Sequence, residues 1–394
     1  MEKRRLRTMD DVFLDGKRVL VRVDFNVASG KDGMIAEGDD YRIKAALPTI
    51  EELIQRRCKV LLLTHRGRPQ EGDSNVDVEP VRWRLERLLG ERVMILKHLA
   101  GNDVEAMVTG MEQGRVTMLP NVRLDVREET GNEKFAAELA RVAEVYVNEA
   151  FSVLHRDHAS VSKVPKLLPA CAGRRTVQEY EVLSRLMERP QRSYVAVVSG
   201  AKLHTKVNLL DKLLVSVDKL CLGGIIANAF LAAQGKCTLE QCDSDSVAVA
   251  KRLLGRAADK IVLPEDVVVG PASGDNSAVR VLSVDNIPGD AAGIWDVGPA
   301  SVERYMNVLR QAKTIMWNGP LGMFEVKAYA AGTAGLARGM ADLDAWRVVG
   351  GGDTISALAR QGLVKKFNHV SVGGGAMVAF LGGEAMPGLE PLFD

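Results

Sequence analysis

The sequence has no apolar run longer than a β-strand, and every such run is soon broken by glycine or charge, so no segment reads as a membrane span. It has no charge of one sign in excess. The formal net charge is +1 over 394 residues, which removes the global basic field of a nucleic-acid binder and leaves any anion site to local clustering. It has few cysteines. Five stand apart at 58, 171, 221, 237 and 242, an odd number with no apolar leader before them, which points to a reducing compartment, the cytoplasm. Only Cys237 and Cys242 are close, and no histidine or second pair completes a zinc set. The charged start MEKRRLR precedes no apolar stretch and reads as a solvated beginning. There is no tandem repeat, no G-x-x-x-x-G-K-[ST], no G-x-G-x-x-G, no VAIK and no DFG, and the one HRD, at 155–157, lacks the L-x-x-x-N that completes the protein-kinase catalytic loop, so the usual signs of P-loop, dinucleotide-binding and protein-kinase folds are missing.

What is present is a repeated strand–loop–helix pattern. Hydrophobic residues at 46% and charged residues at 26% describe a globular chain, and its length suits two domains. In the first half KRVLVRV (17–23), KVLLLT (59–64), RVTML (115–119) and EVYVN (144–148) read as buried parallel strands, with amphipathic stretches near 43–57, 79–89 and 133–143. Pro48 is placed near the start of the first stretch. In the second half YVAVVS (194–199), VDKLCLG (217–223), KIVL (260–263), TIMWN (314–318), WRVVG (346–350) and HVSVG (369–373) read the same way. PKLLPACAGRR (165–175) reads as a hinge and QEYEVLSRLMER (178–189) as a connecting helix. The fold class is α/β, with helices on both faces of parallel sheets.

Ligands in such sheets bind beyond the carboxyl ends of the strands, so the residues there carry the functional argument. The first-half strands lead into Asp24-Phe25-Asn26, Thr64-His65-Arg66-Gly67-Arg68, Asn121-Val122-Arg123 and Glu149, with His155, Arg156 and His158 soon after. Arginine forks suit phosphate and carboxylate, while Asp24 and Asn26 suit a hydroxyl. One arginine alone would read as a surface ion pair; their recurrence at successive strand ends points to a small, multiply anionic ligand. Five second-half loops are glycine-rich: Ser199-Gly200-Ala201-Lys202, Gly223-Gly224, Asn318 to Gly322, Gly350-Gly351-Gly352-Asp353-Thr354 and Gly373-Gly374-Gly375. Glycine admits close backbone approach, and helix N-termini offer N–H groups to phosphate. Lys202 and Lys206, four apart, would share a helix face, and Asp353 is placed to hold Mg²⁺ with nucleotide phosphates.

In order along the chain, VLVRVDFNV (19–27), HRGRP (65–69), NVR (121–123), NEAF (148–151), HRDH (155–158), GAK (200–202), WNGPLGMFE (317–325), VGGGDT (349–354) and HVSVGGGA (369–376) closely resemble phosphoglycerate kinase. The resemblance implies two Rossmann-like three-layer lobes joined by a hinge. It implies a phosphoglycerate-binding lobe over 1–172, a nucleotide-binding lobe over 173–372, and a segment 373–394 returning to the first, with the substrate cleft between the lobes. It implies 3-phosphoglycerate or 1,3-bisphosphoglycerate and ATP or ADP with Mg²⁺ as ligands, reversible phosphoryl transfer, and a monomer with neither nucleic acid nor membrane as partner. By the same resemblance Asp24, Asn26, Arg42, His65, Arg68, Arg123 and Arg156 hold the acid. Lys202, Lys206, Asn318, Glu325, Gly350, Gly351, Gly352, Asp353 and Thr354 hold the nucleotide, with Asp353 toward the metal. Arg42, Lys202, Gly374 and Gly375 meet the transferring group. The chain departs from the family pattern at Ser199, Thr205, Ile225, Pro120, Leu124, Ala300, Val372, Met377 and Ala379. A paralogue using another small acyl phosphate, or a non-catalytic metabolite sensor, would preserve part of the pattern. Retention of Arg42, Lys202, Lys206 and Asp353 together favours catalysis.

Overall fold

A computed structural model describes residues 4–30, 32–73, 76–237, 242–275, 278–289 and 291–394. Two compact units form, Met1–Glu181 with Ala385–Asp394, and Val182–Glu384. The division falls inside one helix, Arg174–Glu188. The glycine loop at 373–375 and the helix after it lie in the second unit, while the last ten residues pack with the first.

The first unit is built on β1 (Arg18–Val23), β2 (Lys59–Leu63), β3 (Met94–Ile95), β4 (Val116–Met118), β5 (Val145–Glu149) and β6 (Ala170–Ala172), in the order β3-β4-β2-β1-β5-β6. Every pairing is parallel. Helices α1 (Tyr41–Gln55), α2 (Glu79–Leu89), α3 (Asn102–Gly110) and α4 (Glu133–Ala140) connect the strands, and α5 (Arg174–Glu188) leaves the sheet. Val19, Val21 and Val23 of β1 pack with Ile43, Ile50 and Leu53 of α1 in one apolar core, which is why the two elements form against each other. Register sets Arg22 beside Leu63 and Val23 beside Glu149, so the loops after β1, β2 and β5 leave at one level.

The second unit repeats the plan with β7 (Tyr194–Val198), β8 (Lys219–Leu222), β9 (Ile261–Val262), β13 (Thr314–Asn318), β14 (Trp346–Gly350) and β15 (His369–Ser371), ordered β15-β14-β13-β7-β8-β9, all parallel. Between β9 and β13 lies a three-stranded antiparallel sheet, β10 (Asp266–Val269), β11 (Arg280–Ser283) and β12 (Ile294–Val297). The helices are α6 (Val207–Ser216), α7 (Gly224–Ala233), α8 (Ser244–Ala257), α9 (Pro299–Leu309), α10 (Ala331–Ala341), α11 (Gly352–Ala359) and α12 (Gly375–Leu381).

Several local expectations are corrected. Residues 170–172 form edge strand β6 on β5, not hinge, because three small buried residues dock on Tyr146–Asn148. Helix α5 starts four residues before the expected 178, because Glu149 accepts from the backbone N–H groups of Arg175 (2.9 Å) and Thr176 (3.3 Å) at its first turn. Pro48 sits inside α1 rather than near its start. The charged beginning is anchored from residue 4 onward: Leu6 is buried and bridges Phe393, and Arg7 N donates to Leu392 O. Residues 1–3 of that beginning lie outside the described residues.

Candidate active site

The rim of the first unit is assembled by the parallel register. Asp24 follows β1 and is buried. Arg42, from the first turn of α1, donates to it at 2.5 Å, and Ser152 Oγ also donates to it. Burial pushes the Asp24 carboxyl up, but Arg42 and the hydrogen bonds from Ser152 and the Asn26 N–H leave it below its ordinary value. Asn26 accepts from Gly67 N at 3.0 Å through its side-chain carbonyl, tying the loop after β1 to the loop after β2. His65 is buried in that second loop. Arg123 is buried after β4 and donates to Gly67 O at 2.8 Å, with Glu129 at 2.9 Å from Nε but out of line for a hydrogen bond. Arg156 follows β5. Arg68 is exposed and pairs with Glu71 at 3.1 Å.

The electrostatics of this rim favour an anion. Burial, and then Arg156 and other cations, lower the pKa of Arg123; burial, and then Arg68, lower that of Arg156. Burial holds His65 well below its ordinary range, and His158 is held down to about 4 by burial and by Arg156, Arg22 and Arg123. Both imidazoles are therefore neutral at pH 7. A ligand carrying negative charge relieves this cation crowding. Arg66, in the same motif as Arg68, clamps loops instead: it is buried and donates to Val27 O, Asp77 O and Ser29 Oγ. The reading by motif missed Arg22, which is 1% exposed on β1. Its only signal was a charge inside an apolar strand.

The rim of the second unit is also one level. Register places Val198, Leu222, Asn318, Gly350 and Ser371 on a line across five strands, so all five glycine loops start together. Lys206 Nζ lies between the ends of β7 and β13, donating to Ser199 O at 2.5 Å and Asn318 Oδ1 at 2.6 Å. These central strands have their chain neighbours on opposite sides, the topological position where open α/β sheets bind ligands. Asn318 Nδ2 donates to Gly350 O at 3.1 Å, and Gly319 N donates to Thr354 Oγ1 at 2.9 Å. Burial lowers Lys206 to about 8, with Asp353 pulling the other way. A cavity of about 210 Å³ adjoins this lattice, lined by Gly200, Ala201, Gly224, Ile225, Ile294, Trp295, Pro320, Gly322, Met323, Glu325 and Asp353. Its wall from β12 was missed in sequence because the antiparallel sheet was not recognised, although Val267–Val269 was a β-branched signal.

Lys206, Asn318, Gly350, Gly351 and Thr354 thus gather at one junction, and Glu325 and Asp353 line one cavity. Lys202 is not on a shared helix face with Lys206. It stands exposed on a turn before the 3₁₀ segment His204–Lys206, and its carbonyl accepts from Thr205 Oγ1 at 2.9 Å. Gly374 precedes α12, which begins at Gly375. Among the described residues no cluster of three or more His, Cys, Asp or Glu side chains can hold a metal ion, whereas a single carboxylate such as Asp353, lining a cavity, suits a divalent cation that arrives already held by an anionic ligand.

The family model for phosphoglycerate kinase matches residues 9–384. The chain belongs to the phosphoglycerate kinase family. It is 42% identical over 396 residues to the phosphoglycerate kinase of Pelotomaculum thermopropionicum, covering 98% of this chain and 99% of that one. It is also 42% identical over 394 residues to that of Rubrobacter xylanophilus, covering 100% and 98%. Among solved structures it is similar to phosphoglycerate kinase from Coxiella burnetii, with a TM-score of 0.85 at 37% identity over 98% of this chain and 99% of that one. The structure from Pyrococcus horikoshii gives a TM-score of 0.86 at 29% identity, covering 98% of each chain. The two Rossmann-like parallel-sheet lobes of the phosphoglycerate kinase fold are those described above. Among the described residues no helix is long and apolar enough to cross a membrane.

Proposed function

We infer that this protein catalyses reversible phosphoryl transfer between 1,3-bisphosphoglycerate and ADP, giving 3-phosphoglycerate and ATP. The observation that carries this reading is the family match over residues 9–384, a span that holds both rims. The arginine–histidine rim of the first unit takes the acid, with Arg123, Arg156, Arg68 and His65 toward its phosphate or carboxylate and Asp24 and Asn26 orienting its hydroxyl. The glycine-loop rim takes the nucleotide. The apolar walls of the cavity suit the base, Glu325 the ribose, and Lys206 with the loop N–H groups the phosphates. Asp353 is the residue to hold Mg²⁺ there, and the cation neutralises phosphate charge when bound. A monomer working in the cytoplasm is consistent with this reading.

An acyl phosphate is already a good donor, so the protein supplies mainly alignment and charge stabilisation for an in-line attack by a terminal ADP oxygen. Arg42 and Lys202, with backbone N–H groups at Gly374 and Gly375, are the groups for the charge developing on the transferring phosphoryl. The reaction requires the two bound substrates to meet with water excluded. Lys202 makes no described side-chain bond in the free protein, which suits a group engaged only during transfer. A coupled assay across several phosphorylated acids tests the substrate: turnover of another acid with none of 3-phosphoglycerate overturns it. For the mechanism, Lys202→Ala is expected to lower kcat by about 10²-fold or more with little change in acid affinity. Wild-type kcat at saturation in that variant removes Lys202 from the mechanism.

A further inference from the structure

Beneath the acid rim runs a buried polar chain that joins residues more than a hundred positions apart. Glu128, fully buried, accepts from Ser160 N at 2.8 Å and from Ser160 Oγ at 2.6 Å. The same Ser160 hydroxyl accepts from Arg22 Nε at 2.9 Å. Arg22 Nη1 donates to Val23 O at 2.6 Å, and Nη2 faces His65 Nδ1 at 3.3 Å. A guanidinium has five N–H donors, no acceptor, and keeps its charge at any physiological pH. His65 Nδ1 can therefore only accept, so the ring is uncharged and its single proton is on Nε2. Ser160 gives the chain its direction, because its one O–H is committed to Glu128 and leaves a lone pair for Arg22.

We propose that Arg22 is a positioning residue: held by Ser160 and Glu128, it fixes the His65 ring in the tautomer with the proton on Nε2 and so presents an N–H donor to the bound acid. Among the described residues Nε2 of His65 makes no hydrogen bond, leaving it available to a ligand. The charged groups around the ring agree. Arg22, Arg123 and Arg156 oppose a second proton, and only Asp24 favours one. A histidine set in this way differs from an imidazolium in one respect that matters for the rim. It donates a directed bond to the acid without adding a further buried charge among the arginines. An apolar residue at position 22 would fill the same space in β1 but leave the ring free to exchange its proton between nitrogens. The inference rests on the acid-binding reading of this rim, although the tautomer itself does not.

The test is a ¹⁵N–¹H long-range correlation spectrum of the His65 ring in the ligand-free full-length protein at pH 7, which needs no assumption about substrate. The expected pattern is one neutral tautomer with the proton on Nε2. A proton on Nδ1, or a charged ring, overturns the proposal. In Arg22→Met the single tautomer is expected to give way to an exchanging mixture, with KM for 3-phosphoglycerate raised about tenfold or more and kcat changed much less. Ser160→Ala, which removes the link and spares the arginine, is expected to shift the same signals if Arg22→Met does not fold. An unchanged tautomer in a folded variant sinks the idea. In a His65→Gln background, where the side-chain amide donates without a tautomer, Arg22→Met is expected to add little further loss in KM; a full tenfold additional loss assigns Arg22 a separate role and overturns this one. Failure of the protein to use 3-phosphoglycerate leaves the ring spectrum readable, so the two readings fail separately.

Discussion

At the scale of single residues, Lys206 is the group whose chemistry the fold changes most visibly. In sequence it is one of two lysines near a glycine. In the structure it is wedged between the carbonyl of Ser199 and the amide oxygen of Asn318, both neutral acceptors, and burial brings it to about 8. At pH 8 about half of the free molecules therefore carry an uncharged lysine. Phosphate oxygens favour the charged form, so ADP binding at pH 8 is expected to take up about half a proton from solution, falling toward zero near pH 6.5. Calorimetry in buffers of different ionisation enthalpy reads this directly. In Lys206→Arg the uptake should vanish, because a guanidinium is always charged. Equal uptake in the variant would place the titration elsewhere.

At the scale of elements, the second-unit rim depends on backbones packed too closely for side chains. Gly319 has φ +99°, and a Cβ there would stand 2.0 Å from Ser199 O, the carbonyl that Lys206 also uses. Neither the strand end nor the lysine can yield without the other. Gly319→Ala is expected to cost about 1–3 kcal/mol of stability and to raise KM for nucleotide while leaving KM for the acid close to wild type. Gly352, in the first turn of α11, has ordinary backbone angles and open space at its Cβ. Gly352→Ala is expected to fold with wild-type stability, which makes it the control for glycine loss as such. Urea unfolding and steady-state kinetics on the pair check both statements. In the first unit the same scale explains the early start of α5: its opening N–H groups are met by Glu149, and Thr49 Oγ1 from α1 donates to that carboxyl at 2.8 Å. A helix end thus takes its partner from a strand end 26 residues earlier.

At the scale of the whole molecule, buried titratable groups set how each unit responds to pH. In the first unit burial pushes Glu149 up to about 7, while His158 is pushed down to about 4 and His65 well below its ordinary range. A raised carboxyl is protonated when folded and ionised when unfolded, so its stability contribution is lost as pH rises through about 7. A lowered histidine is neutral when folded and charged when unfolded, so its contribution grows as pH rises toward its unfolded value. The two signs oppose each other there. In the second unit burial raises Asp296 to about 7, against N–H groups of Gly332 at 2.8 Å and Val297 at 2.9 Å. Asp296→Asn should therefore destabilise this unit most at about pH 4 and below, with the deficit shrinking as pH rises to about 7 and level above that. Fluorescence-monitored urea unfolding of the full chain reads it through Trp317, which is fully buried in that unit. A deficit that grows with pH would contradict the assigned sign.

The sequence by itself determined the central strands of both parallel sheets, the two-fold repetition of the α/β plan, and which residues stand where those strands end. Each of these is local: strand-length apolar runs, helical periodicity, and glycine or arginine at the point where a run stops. Asp24, His65, Asn318 and Asp353 are legible because they follow such stops directly. Tertiary structure alone decided what neighbouring motif residues do. Arg66 and Arg68 share one motif, yet the first is buried among loop carbonyls and the second is exposed beside Glu71. Lys202 and Lys206 share another, yet only the second is buried against a strand end. Arg22 reads as a stray charge until β1 lies beside Ser160 and His65, and the antiparallel sheet escaped notice until its strands were paired. The reason is physical. Strand and turn preferences act over a few residues, whereas burial, tautomer and charge state are set by partners that the chain brings together from about 40 to 140 positions away.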